Sequence, residues 1–146
     1  MVLPVLTILD TNVVSELMAP SPSELVVHWM RQHLLENLFV TSITVGEILY
    51  GVEILPKGKR RDRLHEKAEA VFAEDFFGRV LPFDAQAARA FATIAATRRA
   101  QGHPISEPDA RIAATARVND ALLATRDTGD FEGCGLHLVN PWQSEA

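Results

Sequence analysis

Short apolar runs rich in strand-forming residues alternate along this chain with longer stretches of helical period, and no other feature limits its possible folds as tightly. The runs fall at Val5–Leu9, Leu38–Ser42, Arg79–Phe83, Ala121–Thr125 and Leu136–Val139. Between the first four, apolar residues recur at helical spacing. Val26, Val27, Met30 and Leu34 do so within Ser23–Leu35, Ile48, Leu49, Val52 and Leu55 follow, and Ala85–Ala100 and Ala110–Val118 are alanine-rich. Strands separated by helices predict an α/β fold with a mostly parallel sheet covered on both faces. Pro82 would remove a ladder hydrogen bond from the third run, which places "RVLPF" at a sheet edge. No repeat, low-complexity tract or Pro/Ser linker divides the 146 residues, so one domain over 1–146 is expected.

Composition excludes several classes. No window approaches the ~20 apolar residues of a membrane span, so no membrane role is expected. The opening "VLPVLTIL" lacks a basic leader and a small-residue cleavage site, and the mature chain is expected to begin here. One cysteine, Cys134, can form neither an internal disulfide nor a thiolate metal site, which fits a reducing cytoplasm and a packing role. The net charge of −5 argues against coating nucleic acid by bulk electrostatics. A local positive face nevertheless exists: "EILPKGKRRDRLHEK", Glu53 to Lys67, holds six Lys/Arg against three acids.

The acids carry the chemistry. Asp10 follows the first run, Glu47 follows the second, Asp127 follows the fourth, and Asp109 opens the helix leading into the fourth. Each alone fits a cap: Asp10 before a helix, and Glu47 and Asp109 as third helical residues of the capping boxes Thr44–Glu47 and Ser106–Asp109. In an open parallel sheet, however, the carboxyl ends of neighbouring strands share one edge, where such folds place ligands. If the first, second and fourth strands are neighbours, the four acids converge. Clustered carboxylates repel and raise one another's pKa unless a cation neutralises them. Oxygen-only ligands select Mg²⁺ or Mn²⁺ over Zn²⁺. Asp84, after "VLPF", is expected to cap the next helix instead, and Asp130, three residues past Asp127, competes with it for the fourth place. The five histidines show no metal-binding spacing.

In "LDTNVVSE", "TSITVGEILYGV", "DARIAATA" and "LLATRDTGDF…NPW", the chain resembles the PIN-domain family, and within it the VapC-type toxins of bacterial toxin–antitoxin pairs, including the FitB group. The resemblance spans nearly the whole chain and implies a five-stranded sheet of order 3-2-1-4-5. It also implies metal-dependent endoribonuclease activity with acids at Asp10, Glu47, Asp109 and Asp127. Asp10 and Asp109 are the first-choice metal ligands, with Glu47 and Asp127 as ligands or orienters of an attacking water; Thr11, Asn12 and Thr125 are candidates to support them by hydrogen bonds, against a reading as turn and cap residues. Many relatives carry Asn at the Asp127 position and an acid three residues on, so Asp127 and Asp130 stay alternatives. The implied partners are RNA, a cognate antitoxin, operator DNA through that antitoxin alone, and a second copy of the chain or a larger toxin–antitoxin assembly. Apolar surplus on the helices of residues 23–35 and 44–55 is where such pairing is expected.

Lys57, Lys59, Arg60, Arg61 and Arg63 are candidates for RNA phosphate, against a reading as a solvated helix. A P-loop is rejected, since six residues separate Gly51 from Gly58 and Arg60 stands where Ser or Thr belongs. A dehalogenase-type phosphatase needs an acid where Asn12 stands. The competing function is a weakly catalytic or non-catalytic subunit of a DNA-bound toxin–antitoxin repressor. A full acid set favours the enzyme.

Overall fold

A computed structural model describes residues 5–143; the first four and last three residues of the expected 1–146 domain lie outside it. All five apolar runs form strands, trimmed at their ends: β1 Thr7–Leu9, β2 Leu38–Thr41, β3 Val80–Leu81, β4 Leu122–Ala124 and β5 His137–Val139. The helices are α1 Thr11–Met18, α2 Glu24–Arg31, α3 Ser42–Glu53, α4 Lys59–Ala70, α5 Ala85–Ala100 and α6 Glu107–Val118. Every strand pair is parallel and the order is β3-β2-β1-β4-β5, as the resemblance implied. β3 is an edge strand ending just before Pro82, so the missing N–H costs the ladder nothing.

Two cores sandwich the sheet because strand residues alternate in direction. Leu9, Leu38, Val40 and Ala124 face a core with Val13 and Val14 of α1, Val26 and Trp29 of α2, Ile48 of α3 and Ala68 of α4. Ile8 and Leu123 face the other, with Ile94 of α5, Ile112, Ala113 and Ala116 of α6, Phe131 and Cys134. Helices joining β1 to β2 to β3 cover one face, and those joining β3 to β4 cover the other. This follows from right-handed crossovers when the chain reverses its direction across the sheet. The run of small residues on α6 is buried in this second core, where the helix packs mainly against α5.

The 23–35 helix is shorter than its periodicity suggested. α2 ends at Arg31, and a 3₁₀ turn at Leu35–Asn37 leads into β2. α4 had no apolar period to announce it: its sequence is "KRRDRLHEKAEA", and only Ala68 is fully buried. It continues as a single π turn at Val71–Asp75, which turns Phe72 and Phe76 into the first core.

Arg98 is the one charged residue besides Asp10 that is buried among the described residues. Among the described residues its guanidinium has no carboxylate partner. Nε donates to the His103 carbonyl at 2.7 Å, and Nη1 donates to those of Asp130 at 2.8 Å and Glu132 at 2.9 Å. It thereby ties the end of α5 to the segment after β4 that carries Asp130. Replacing Arg98 with Met is expected to lower unfolding free energy by about 3 kcal/mol, since those carbonyls lose their donors. A urea midpoint within error of wild type would contradict this.

Candidate active site

β2, β1 and β4 lie side by side and open their carboxyl ends on one edge. The chain leaves β1 toward β2 and later returns on its other side, making the β1–β4 boundary the switch point where such sheets form a crevice. α6 runs back against the strands, so its N-terminus reaches the same edge. The crevice, about 470 Å³, is lined by Asp10, Glu47, Asp109, Asp127 and Asp130, together with Thr11, Asn12 and Glu16. Acids drawn from 120 residues of sequence separation thus share one depression.

Asp10 both caps and faces the crevice. The main chain continues the ladder one residue past β1, Asp10 N–H donating to the Ala124 carbonyl at 2.9 Å. Asp10 Oδ1 then accepts the Thr11 N–H at 2.8 Å and so caps α1, while Oδ2 accepts the Thr125 hydroxyl at 2.7 Å. The side chain is 4% exposed. Burial pushes its carboxyl up to about 6; the bonds from Thr125 and Thr11 pull it down, and Asp109 and Glu47 push it up. Burial also raises Asp109, offset by the Ser106 hydroxyl and reinforced by Asp130, Glu47 and Asp127.

For Glu47 the capping account fails. Thr41, not Thr44, caps α3, accepting the Thr44 N–H at 3.2 Å, so Glu47 sits in the second turn. Its Oε1 accepts the Thr11 hydroxyl at 2.8 Å, and Thr11 Oγ1 lies 2.9 Å from Thr44 Oγ1. With the Thr11 proton committed to Glu47, Thr44 is the donor to Thr11. A line of hydroxyls therefore runs from the buried start of α3 to the carboxylate and fixes where it stands. Ser106 does cap α6, through the Asp109 N–H at 3.3 Å, leaving the Asp109 side chain at the crevice. Asp84 caps α5 through the Ala87 N–H and does not line the crevice.

On the opposite wall, Asn12 Nδ2 donates to Asp127 Oδ2 at 3.1 Å, and the Asp127 N–H donates to Thr125 Oγ1 at 3.1 Å. Asp127 and Asp130 both line the crevice, which keeps both in play. Lys57, Lys59, Arg60, Arg61 and Arg63 do not line it. They lie on or just before α4, where Arg61 pairs with Glu53 at 2.7 Å. The basic residue that does line the crevice is Arg126, with Trp142 beside it. Neither is among the site residues that the sequence predicts, although both fall in the segments "LLATRDTGDF" and "NPW" that carry the resemblance.

The donor set suits a hard cation: oxygens alone, and a nearly buried carboxylate raised by burial and like charge. Among the described residues no three acidic, His or Cys side chains stand close enough to grip one ion as oriented. Hydrogen bonds to Thr11 and Asn12 hold Glu47 and Asp127 against the walls, and mutual repulsion favours such splaying.

The PIN-domain model matches residues 7–133. This chain belongs to the PIN-domain family. It is 42% identical over 135 residues to toxin FitB of Neisseria gonorrhoeae, covering 92% of this chain and 97% of that protein. It is 40% identical over 136 residues to VapC ribonuclease Y4jK of Sinorhizobium fredii, covering 93% and 97%. Among solved structures, FitAB bound to an IR36 DNA fragment superposes with TM-score 0.88 at 41% identity, over 96% of this chain and 98% of that one. The PIN domain here accordingly shares architecture and length with the FitAB chain on which it superposes.

Proposed function

We propose that this PIN domain is a ribonuclease toxin of a toxin–antitoxin pair, cutting RNA at the crevice with Mg²⁺ or Mn²⁺ bound. The observation that carries the reading is the gathering of Asp10, Glu47, Asp109 and Asp127 at the switch point of the sheet. Relatives named VapC ribonuclease and toxin FitB support RNA cleavage and toxicity. Asp10 and Asp109 would hold the ion, with Glu47 and either Asp127 or Asp130 completing the set or orienting water. A bound divalent cation supplies charge neutralisation at the scissile phosphate and acidifies water. The chain supplies the rest. Thr125 and the Thr11 N–H keep the Asp10 carboxylate fixed and ionised, and Thr11 steers Glu47.

Purified protein is expected to cut bulk RNA with Mg²⁺ or Mn²⁺ and to stop when the ion is chelated. Sequencing of the new 5′ ends after induction in cells would identify the RNA. Failure to cut any RNA under either ion would overturn the reading. Thr125→Val keeps the side-chain shape but removes the hydroxyl from Asp10, and is expected to weaken Mn²⁺ binding by about 10- to 100-fold. Calorimetric titration of Mn²⁺ would check this, and an unchanged affinity would remove Thr125 from the supporting set.

The antitoxin reading draws on exposed apolar surface. Leu25, Leu34 and Leu35 around α2, and Tyr50 and Ile54 around the end of α3, are 44 to 66% exposed. These are the two stretches where the sequence carried an apolar surplus. A groove of about 400 Å³ lined by Leu17, Met18, Met30, Leu35, Val71 and Phe76 lies on the same side as α2. Solved relatives with a partner include FitAcB from Neisseria gonorrhoeae, 40% identical with TM-score 0.87. Operator DNA would be met through the antitoxin, as the acidic chain has no basic surplus of its own.

A further inference from the structure

The single cation lining the acid crevice does not pair with the acids. Arg126 sits between Thr125 and Asp127, exposed, in a crevice lined by six carboxylates, yet among the described residues it forms no salt bridge. Its guanidinium carbon lies 5.1 Å from the centroid of the Trp142 ring, which is half-buried against the first core. The backbone of the pair is held from both sides. Arg126 N–H donates to Asn12 Oδ1 at 3.3 Å, and its carbonyl accepts from Asn140 Nδ2 at 3.3 Å. Asn140 Oδ1 in turn accepts the Trp142 N–H at 2.9 Å. Asn140 therefore fixes both members, and the indole holds the guanidinium away from neutralisation by its neighbours.

We infer that Arg126 and Trp142 form a nucleotide subsite that takes an unpaired residue of the RNA next to the scissile phosphate. This rests on the ribonuclease reading above. A polyanion entering a crevice of acids needs a cation besides the metal, and the fork of a guanidinium matches phosphate oxygens. Bases stack on indole and guanidinium planes only when unpaired, so the pair selects a single-stranded or flipped-out nucleotide. The acids set where the chain is cut, and this pair contributes to which stretch of RNA is held there.

The test uses a short unstructured RNA oligonucleotide and the uncut complex it forms with Asp10→Asn protein, with no divalent metal added. On that background Trp142→Ala is expected to weaken RNA binding by about 10- to 100-fold, and Trp142→Phe to retain most of it. Arg126→Ala is expected to weaken binding and to lower the slope of log affinity against log salt by about 1. In the cleaving protein the same changes should raise KM while leaving kcat within a few-fold. If Trp142→Ala does not fold, Trp142→Phe and Arg126→Ala decide the matter through the salt slope and KM. The subsite is overturned if the variants lower only the melting temperature, or if they weaken antitoxin binding and leave RNA binding intact. When wild type cuts RNA and the variants cut it equally well, the subsite alone fails. When wild type neither binds nor cuts RNA, the ribonuclease reading fails and the subsite with it.

Discussion

Asp10→Ala is expected to abolish toxicity on expression without antitoxin and to lower RNA cleavage by about 10²- to 10³-fold, the size of loss seen when one preorganised electrostatic group is removed from an active site. The geometry explains why Asp10 is the most sensitive acid. It is nearly buried, whereas Glu47, Asp127 and Asp130 are exposed and can be repositioned or replaced by one another. It receives two hydrogen bonds at 2.7 and 2.8 Å, from Thr125 and the Thr11 N–H, so its orientation is set before any ion arrives. The alanine variant should still bind antitoxin and, through it, operator DNA, because the apolar surface around α2 lies away from the crevice. That combination separates the two candidate functions. A variant that arrests growth as wild type does would leave the binding-subunit reading standing and end the nuclease one.

The second large effect is on stability and runs opposite to ordinary expectation for a buried, hydrogen-bonded side chain. In the metal-free protein, Asp10→Asn should stabilise the fold at pH 7.5. The folded carboxyl titrates at about 6, against 3.8 for an ordinary aspartate. The folded state therefore holds the proton more tightly than the unfolded chain does. Stability from this group is greatest below about pH 4, falls as pH rises toward 6, and stays reduced above it. Such a shift corresponds to a cost on the order of 3 kcal/mol at neutral pH. Asparagine keeps one oxygen to cap α1 and carries no charge, while its Nδ2 takes the place of Oδ2 and donates to the Thr125 hydroxyl, which turns from donor to acceptor. At about 2–4 °C per kcal/mol for a chain of this size, the expected gain in melting temperature is several degrees. The gain should vanish near pH 4. Adding Mg²⁺ or Mn²⁺ should raise the melting temperature of wild type and not that of the variant, since ligand binding stabilises only the state that binds it. A pH-independent difference, or a loss at pH 7.5, would mean that Asp10 is not held ionised against its surroundings. Burial raises Asp109 in the same direction, so Asp109→Asn should behave similarly.

Much of this molecule was legible beforehand because its signals are local. An apolar run followed by a polar break reads as a strand end whatever surrounds it, and Asp10, Thr41, Asp84 and Ser106 all became helix caps. The misplaced cap shows the limit of such signals. Thr41 and Thr44 both precede a helical pattern, and the helix took the earlier one because β2 ends there, which moved Glu47 out of any capping role. α4 is a second case: "KRRDRLHEKAEA" has helix formers but no apolar stripe, so the sequence allowed a solvated helix there without showing that Ala68 packs it against the first core.

What the sequence by itself determined is the succession of elements and the residue types that end the strands. Periodicity separates strands from helices, and carboxylates at strand ends with no Cys or His set are what a hard cation would need if one is bound. Which carboxylates share a crevice was a question about strand order, and adjacency of β2, β1 and β4 is settled by long-range pairing. The same holds for the basic residues. Six Lys/Arg in one short stretch made the louder signal, but charge density along a chain says nothing of direction in space, and they point elsewhere. Arg126 carries one charge and no pattern. It reaches the crevice because β4 delivers it there, and it stays unpaired because β5 and the turn after it bring Trp142 beneath it.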